Sequence, residues 1–173
     1  MDKALFLDRD GVINIEKNYL YKKEDFEFID GIFDLCQYYQ NLGYKIFVVT
    51  NQSGIARGYY SEEDFLQLTQ WMKKEFIKRN IDIKRVYYCP HHPDITGTCD
   101  CRKPKPGMIL QAKEEFNIDL SKSLMIGDSE RDIQAALNAG ITESYLLSND
   151  MSIEKSQATK IVRNLNEIWK KRC

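Results

Sequence analysis

No apolar run in the sequence approaches the ~20 residues needed to cross a bilayer, and the mean hydropathy is −0.50. The N-terminus offers only the apolar residues 4–7 before charge returns at Asp8, which is no secretory leader. A membrane partner is therefore not expected, and the chain is expected in the cytoplasm. A basic surplus is also missing: 25 Lys+Arg stand against 26 Asp+Glu, for a net charge of −1. That balance speaks against a nucleic-acid partner, whose footprint is a basic face. Five cysteines, an odd number, make no disulfide framework in a cytosolic chain. Repeats, low-complexity tracts and long linkers are absent as well. Hydrophobic residues make up 43% and aromatics 12%, too rich a content for disorder. At 173 residues the chain fits one domain, 1–173, able to bury about 70% of its unfolded surface without crosslinks.

What is present is an alternation of two periodicities. Short continuous apolar runs at 4–7, 46–49, 86–88, 124–126 and 145–147 read as strands buried on both faces. Between them, helical spacing places Ile32, Leu35, Cys36 and Tyr39 on one stripe, and Phe65, Leu68, Met72 and Phe76 on another behind a Ser61 cap. Residues 108–116 and 132–139 read as two more helices, 161–162 as an edge strand, and Leu165, Ile168 and Trp169 as a last helix. The expected fold is α/β: a doubly wound, mostly parallel sheet with helices on both faces. All four prolines and both histidines fall within 90–107. A loop that long inside a compact domain is commonly functional.

In such sheets ligands bind beyond the carboxyl ends of the strands. Those ends carry Asp8 and Asp10, then Thr50 and Asn51, then Asp128 and Asp132. Asp8-Arg9-Asp10-Gly11 by itself is also an ordinary polar turn. Carboxylates at a second strand end make a shared crevice the better reading. Clustered carboxylates repel one another, and hard oxygen ligands with a phosphate suit Mg²⁺. Asp8 could accept a phosphoryl group as an aspartyl-phosphate. A second carboxyl beside it, its pKa raised by the like charge, could act as an acid. Thr50 could donate to phosphate oxygens, and Lys103 is the candidate to offset developing charge.

The loop supplies a second constellation. Cys89, Cys99 and Cys101 with one imidazole of the His91-His92 pair form a tetrahedral Zn²⁺ set. Of the two, His92 reads as a loop residue. Four protein ligands leave no open position, so this zinc would be structural, in a loop spanning 89–107. It would aim Arg102 and Lys103, which follow the last ligand directly. Cys36 reads as core packing, Cys173 as a free terminal thiol, Tyr59 and Tyr60 as packing or surface residues, and Arg57 as a solvated loop arginine.

These residues stand in stretches that resemble the haloacid dehalogenase (HAD) superfamily of phosphatases: FLDRDGVIN at 6–14, VTNQSGIARG at 49–58, YCPHHP at 88–93, CDCRKPKPGM at 99–108 and IGDSERD at 126–132. Within it the chain is similar to the group acting on D-glycero-D-manno-heptose 1,7-bisphosphate or on histidinol phosphate. The resemblance implies Asp8 as nucleophile and Asp10 as general acid and then base. It implies Thr50 and Lys103 as holders of the phosphoryl group. Mg²⁺ is implied on Asp8, Asp128 and the backbone carbonyl of Asp10, with Asp132 supporting, and Zn²⁺ on Cys89, His91, Cys99 and Cys101. Substrate contacts are implied at Glu16, Lys17, Asn18 and Tyr19, at Thr50, Asn51, Gln52 and Ser53, and at Arg102 and Lys103. The implied reaction is removal of the C7 phosphate from a heptose bisphosphate, giving heptose 1-phosphate for activated-heptose synthesis. Histidinol phosphate is the alternative substrate, and a receiver-like signalling domain is a distant one. The partner would be this small sugar phosphate, met by a monomer. Two departures stand out: the spacer 93–98 is shorter than in some members, and Ser129 stands where some carry lysine. The chain also leaves no room for a large cap domain.

Overall fold

The computed structural model describes residues 1–170; Cys173 lies outside them. Six strands form one parallel sheet: β1 (Lys3–Leu7), β2 (Tyr44–Asn51), β3 (Ile83–Cys89), β4 (Leu124–Gly127), β5 (Glu143–Leu147) and β6 (Lys160–Val162), in the spatial order β3-β2-β1-β4-β5-β6. The helices are α1 (Ile32–Asn41), α2 (Glu62–Ile77), α3 (Pro93–Thr96), α4 (Gly107–Phe116), α5 (Glu130–Ala139) and α6 (Asn166–Trp169). The chain winds outward from β1 through β2 and β3, then returns to start the other half at β4. Strand order therefore reverses between β1 and β4, which opens a crevice at their carboxyl ends.

Strand alternation sorts the apolar residues into two cores. Leu5, Leu7, Ile46 and Val48 point to one face, against Leu35 and Tyr39 of α1, Met72 and Phe76 of α2 and Ile168 of α6. Ala4, Phe6, Phe47 and Val49 point to the other, against Met108, Ile109 and Ala112 of α4 and Ala135 and Ala136 of α5. Cys36 is packed in the first core, as expected. Helix starts follow local chemistry: Ser61 and Asp64 exchange hydrogen bonds in a capping box at α2, an arrangement worth about 1 kcal/mol.

The expected elements are present, with shifted ends. The strand expected at 86–88 begins at Ile83 and carries Cys89 as its last residue. The strand expected at 46–49 extends through Thr50 and Asn51. The stretch 90–107 is not wholly irregular: α3 makes one helical turn there, because Pro93 sits at its first position and His92 Nδ1 accepts from the Asp94 N–H at 3.2 Å. The 24 residues between β1 and α1 hold a 3₁₀ turn, Lys23–Asp25, and isolated bridges of Asn14 with Asp10 and Phe28. Among the described residues no helix is long and apolar enough to cross a membrane.

Phe47 is fully buried. It stacks on Phe6 at 5.5 Å and meets Phe116 edge-on at 4.9 Å. Phe47→Ala is expected to lower unfolding free energy by about 3–5 kcal/mol in a urea titration, the range for emptying a packed aromatic site.

Candidate active site

The crevice between β1 and β4 holds three carboxylates and one lysine. Asp8 leaves the end of β1, Asp128 the end of β4, and Asp132 lies in the first turn of α5; their oxygens gather within 4.8 Å of one another. Lys103 comes from the proline-rich loop and is 3% exposed. Its Nζ donates to Asp8 Oδ1 at 2.9 Å and to the Val49 carbonyl at 2.8 Å, and lies 2.6 Å from Asp132 Oδ1. Burial would lower the Lys103 pKa, but Asp132 and then Asp8 outweigh it and hold the ammonium charged. Asp8 is raised well above the usual carboxylate range by its burial first, then by Asp132, Asp128 and Asp10. Asp128 is pushed up to about 6, chiefly by burial and then by Asp132. One lysine faces three carboxylates, and their mutual repulsion adds to burial in raising Asp8 and Asp128.

Two glycines make this convergence possible. A Cβ on Gly11 would sit 2.0 Å from Asp128 Oδ2, and Gly11 has φ +91° besides. A Cβ on Gly127 would lie 2.2 Å from the Asp132 Cβ. Asp132 is oriented from its other oxygen: Oδ2 accepts from the Asp128 and Ser129 backbone N–H groups at 3.1 and 3.2 Å and from Ser129 Oγ at 3.3 Å. Ser129 is thus occupied in shaping the site.

Asp10 is held separately. Arg9 is 1% exposed; its Nε and Nη2 donate to Asp10 at 2.9–3.2 Å, and Nη2 also donates to the Leu20 carbonyl at 3.0 Å. Asn14 Nδ2 and Gln52 Nε2 each add a hydrogen bond of 3.0 Å to Asp10. Gln52 is buried, donates to Thr50 Oγ1 at 2.9 Å and accepts from the Tyr60 hydroxyl. Its amide is therefore committed to Asp10, Thr50 and Tyr60, although it reaches the cavity wall. Asn51 grips the Lys103 backbone from both sides, accepting from its N–H at 3.0 Å and donating to its carbonyl at 3.2 Å.

Two connected volumes open from this machinery. The inner crevice, about 130 Å³, is lined by Asp8, Lys103 and Asp128. The outer cavity, about 340 Å³, is lined by Glu16, Asn18, Tyr19, Ser53, Arg57 and Arg102, among others. Lys17 is not in either wall and pairs with Glu27 at 3.4 Å. Asn18 and Tyr19 both have positive φ, 49° and 60°, a strained pair of the kind found at functional loops. Burial raises the Glu16 carboxyl, with Asp10 adding to it. Arg57 is not simply solvated: it lines the cavity and lies 2.9 Å from His92 Nε2. Tyr60 is more than packing, being bonded to Gln52 in the cavity wall. The reading of the sequence missed Arg9 and Arg131 too; each stands beside a catalytic-motif aspartate, which is the one signal available.

In the cysteine loop the three thiols converge. Cys101 Sγ lies 2.8 Å from Cys89 and 3.4 Å from Cys99, and Cys89 lies 3.6 Å from Cys99, all as free cysteines. Burial raises Cys89 and Cys101. At Cys99 burial is outweighed by the Arg102 backbone N–H and the neighbouring thiols, and the pKa falls. This is a soft donor set suited to zinc. His91 is not among the ligand atoms gathered within 4.8 Å. It sits one residue past Pro90, and its carbonyl accepts from Arg102 Nη1 at 3.4 Å.

Comparison with known proteins follows the same lines. A HAD-hydrolase-like family model matches residues 100–168. The D-glycero-alpha-D-manno-heptose-1,7-bisphosphate 7-phosphatase of Campylobacter jejuni is 53% identical over 166 residues, 96% of this chain and 93% of that one. The corresponding beta-heptose enzyme of Helicobacter pylori is 52% identical over 147 residues, 84% of each. The crystal structure of a D,D-heptose 1,7-bisphosphate phosphatase from B. bronchiseptica, complexed with magnesium and phosphate, superposes with a TM-score of 0.86 at 27% identity, covering 98% of this chain and 97% of that one.

Arg9 is buried against Asp10. Arg9→Met is expected to cost about 3 kcal/mol of stability, because it strands a half-buried carboxylate. Adding Asp10→Asn to it should recover part of that loss in a double-mutant cycle read by chemical denaturation.

Proposed function

Because the chain belongs to the heptose-1,7-bisphosphate 7-phosphatase family of HAD-like hydrolases, we propose that it removes the C7 phosphate of a D-glycero-D-manno-heptose 1,7-bisphosphate, leaving heptose 1-phosphate. The observation that carries this is Lys103, buried between Asp8 and Asp132 at the floor of a crevice that opens into an arginine-lined cavity. Arg102 in that cavity suits the phosphate that is not transferred, since a guanidinium can bind it bidentately. Histidinol phosphate carries an amine and an imidazole instead, poor partners for arginine. The protein acts as a single-domain cytoplasmic monomer, 1–173, in a compartment that keeps its thiols reduced.

In the proposed reaction an Asp8 oxygen attacks phosphorus and the bond from phosphorus to the C7 oxygen breaks. Asp10 protonates the departing C7 oxygen. Asp10 then takes a proton from water, whose oxygen attacks phosphorus and breaks the bond to Asp8, releasing inorganic phosphate. Arg9, Asn14 and Gln52 aim Asp10, and one of their hydrogen bonds must yield to the leaving oxygen. Gln52 donates to Thr50 Oγ1, and the hydroxyl itself makes only a long 3.5 Å contact to the Asn51 carbonyl, which a phosphoryl oxygen would displace. Lys103 keeps Asp8 in line and offsets charge built up in transfer. Asp8, Asp128 and the Asp10 carbonyl would hold Mg²⁺, which when bound neutralises the carboxylates and the phosphoryl oxygens. Cys89, Cys99 and Cys101 would hold a structural Zn²⁺, with His91 as the proposed fourth ligand.

Phosphate release with Mg²⁺ should be measured across both C1 anomers of the bisphosphate and histidinol phosphate. The bisphosphates are expected to have the higher kcat/KM, and Asp8→Asn to lose turnover while keeping its fold by circular dichroism. A preference for histidinol phosphate, or an active Asp8→Asn preparation, would overturn the reading.

Metal analysis is expected to find about one zinc per chain, retained when Mg²⁺ is stripped. Cys99→Ser should lower zinc content, thermal stability and kcat/KM together. A zinc-free protein of normal stability and activity argues against the structural role.

A further inference from the structure

Arg131 is the second residue of α5 and is exposed. Its guanidinium has no hydrogen-bond or ion-pair partner among the described residues, yet it stands in the walls of both volumes. Asp10, Glu16 and Asn51 are shared in the same way, so Arg131 is the one cation at the junction. The other cations nearby are either used up or placed away from the junction. Lys103 has three N–H donors, and Asp8, Asp132 and the Val49 carbonyl occupy them. Arg102 donates to the His91 carbonyl and Arg57 faces His92; neither lines the inner crevice. Arg131 is also badly placed for its own helix, because a cation in the first turn opposes the helix dipole. Its position gains nothing for α5 and faces the place where phosphate must enter.

We propose that Arg131 is a substrate-binding residue that grips the non-bridging oxygens of the phosphoryl group being transferred, at the mouth of the Asp8 crevice. The proposal rests on the phosphatase reading. The two arginines then hold different phosphates, Arg131 the one over Asp8 and Arg102 the distant one. A planar fork with free N–H groups can supply two parallel hydrogen bonds, which Lys103 cannot without releasing a carboxylate. Since the contact exists before and during transfer, its loss falls on KM more than on kcat.

The test compares Arg131→Ala, Arg131→Lys and Arg102→Ala with wild type, all as full-length protein with Mg²⁺. Substrates are the heptose bisphosphate and a small monophosphate such as p-nitrophenyl phosphate, with inorganic phosphate as competing ligand. Arg131→Ala is expected to raise KM about tenfold or more on both substrates, and to weaken inorganic phosphate inhibition by a similar factor. Its kcat should stay within a few-fold of wild type, its melting temperature should be unchanged or higher, and Arg131→Lys should recover part of the loss. Arg102→Ala should impair the bisphosphate alone. An Arg131→Ala loss confined to the bisphosphate assigns the residue to the distant phosphate and overturns the proposal. So does unchanged KM with unchanged phosphate inhibition. Calorimetric titration with inorganic phosphate separates the two levels. A wild type that binds phosphate yet hydrolyses no ester sinks the phosphatase reading. A wild type that hydrolyses, beside an Arg131→Ala protein that binds phosphate equally well, sinks the assignment of Arg131.

Discussion

The Lys103 ammonium, shared among Asp8, Asp132 and the Val49 carbonyl, is the interaction on which the rest of the structure depends. It joins the first strand, the second strand, the proline-rich loop and the fifth helix at one buried point. Stranding any one of these charges would leave an unpaired ion where water cannot reach it, which is far costlier than losing a surface pair. The sheet topology, the two glycines without room for a Cβ and the Asn51 clamp on the Lys103 backbone all serve to bring that point together. The carboxylates crowded around it are what make the crevice receptive to a cation and, through the cation, to phosphate.

Much of this was legible in the sequence because buried parallel strands announce their ends. Residues 4–7 and 124–126 are apolar on both faces, so Asp8 and Asp128 could be set at the rim of one crevice from the order of residues alone. The two-sided burial is visible in the result: Phe6 and Leu7 are neighbours in the chain and belong to opposite cores. The thiol cluster was legible for a different reason, since three cysteines within thirteen residues of a proline-rich loop have few other uses.

What escaped was side-chain partnership across the chain. Nothing in the order of residues distinguishes Arg9, which is buried and holds Asp10, from Arg57, which lines the outer cavity, or from Arg131, which has no partner among the described residues. Gln52 and Lys17 show the same limit. A loop position next to the site proved to be an internal strut in one case and an outward-facing ion pair in the other. His91 was placed in the thiol set by its motif, whereas the fold brings together only the three sulfurs. The turn of helix at Pro93–Thr96 was hidden because its cap is a histidine, a residue seldom read as one.

The convergence of Cys89, Cys99 and Cys101 also bears on where this chain tolerates a change of length. Cys89 ends a strand and Cys99 meets it across the loop, so a zinc held on the thiols would make residues 90–98 a bight with both ends fastened. Chain added to or removed from that bight changes what leans over the outer cavity, with a closure cost that grows only slowly with length. It is not transmitted to Lys103, because the run from Cys101 through Arg102 to Lys103 begins on the far side of the fastening. A change of length at 93–98 is therefore one that Lys103 does not register. A single residue gained or lost between Cys101 and Lys103 would have no such insulation: it would shift the lysine by about 3.8 Å of backbone, out of reach of the carboxylates it holds.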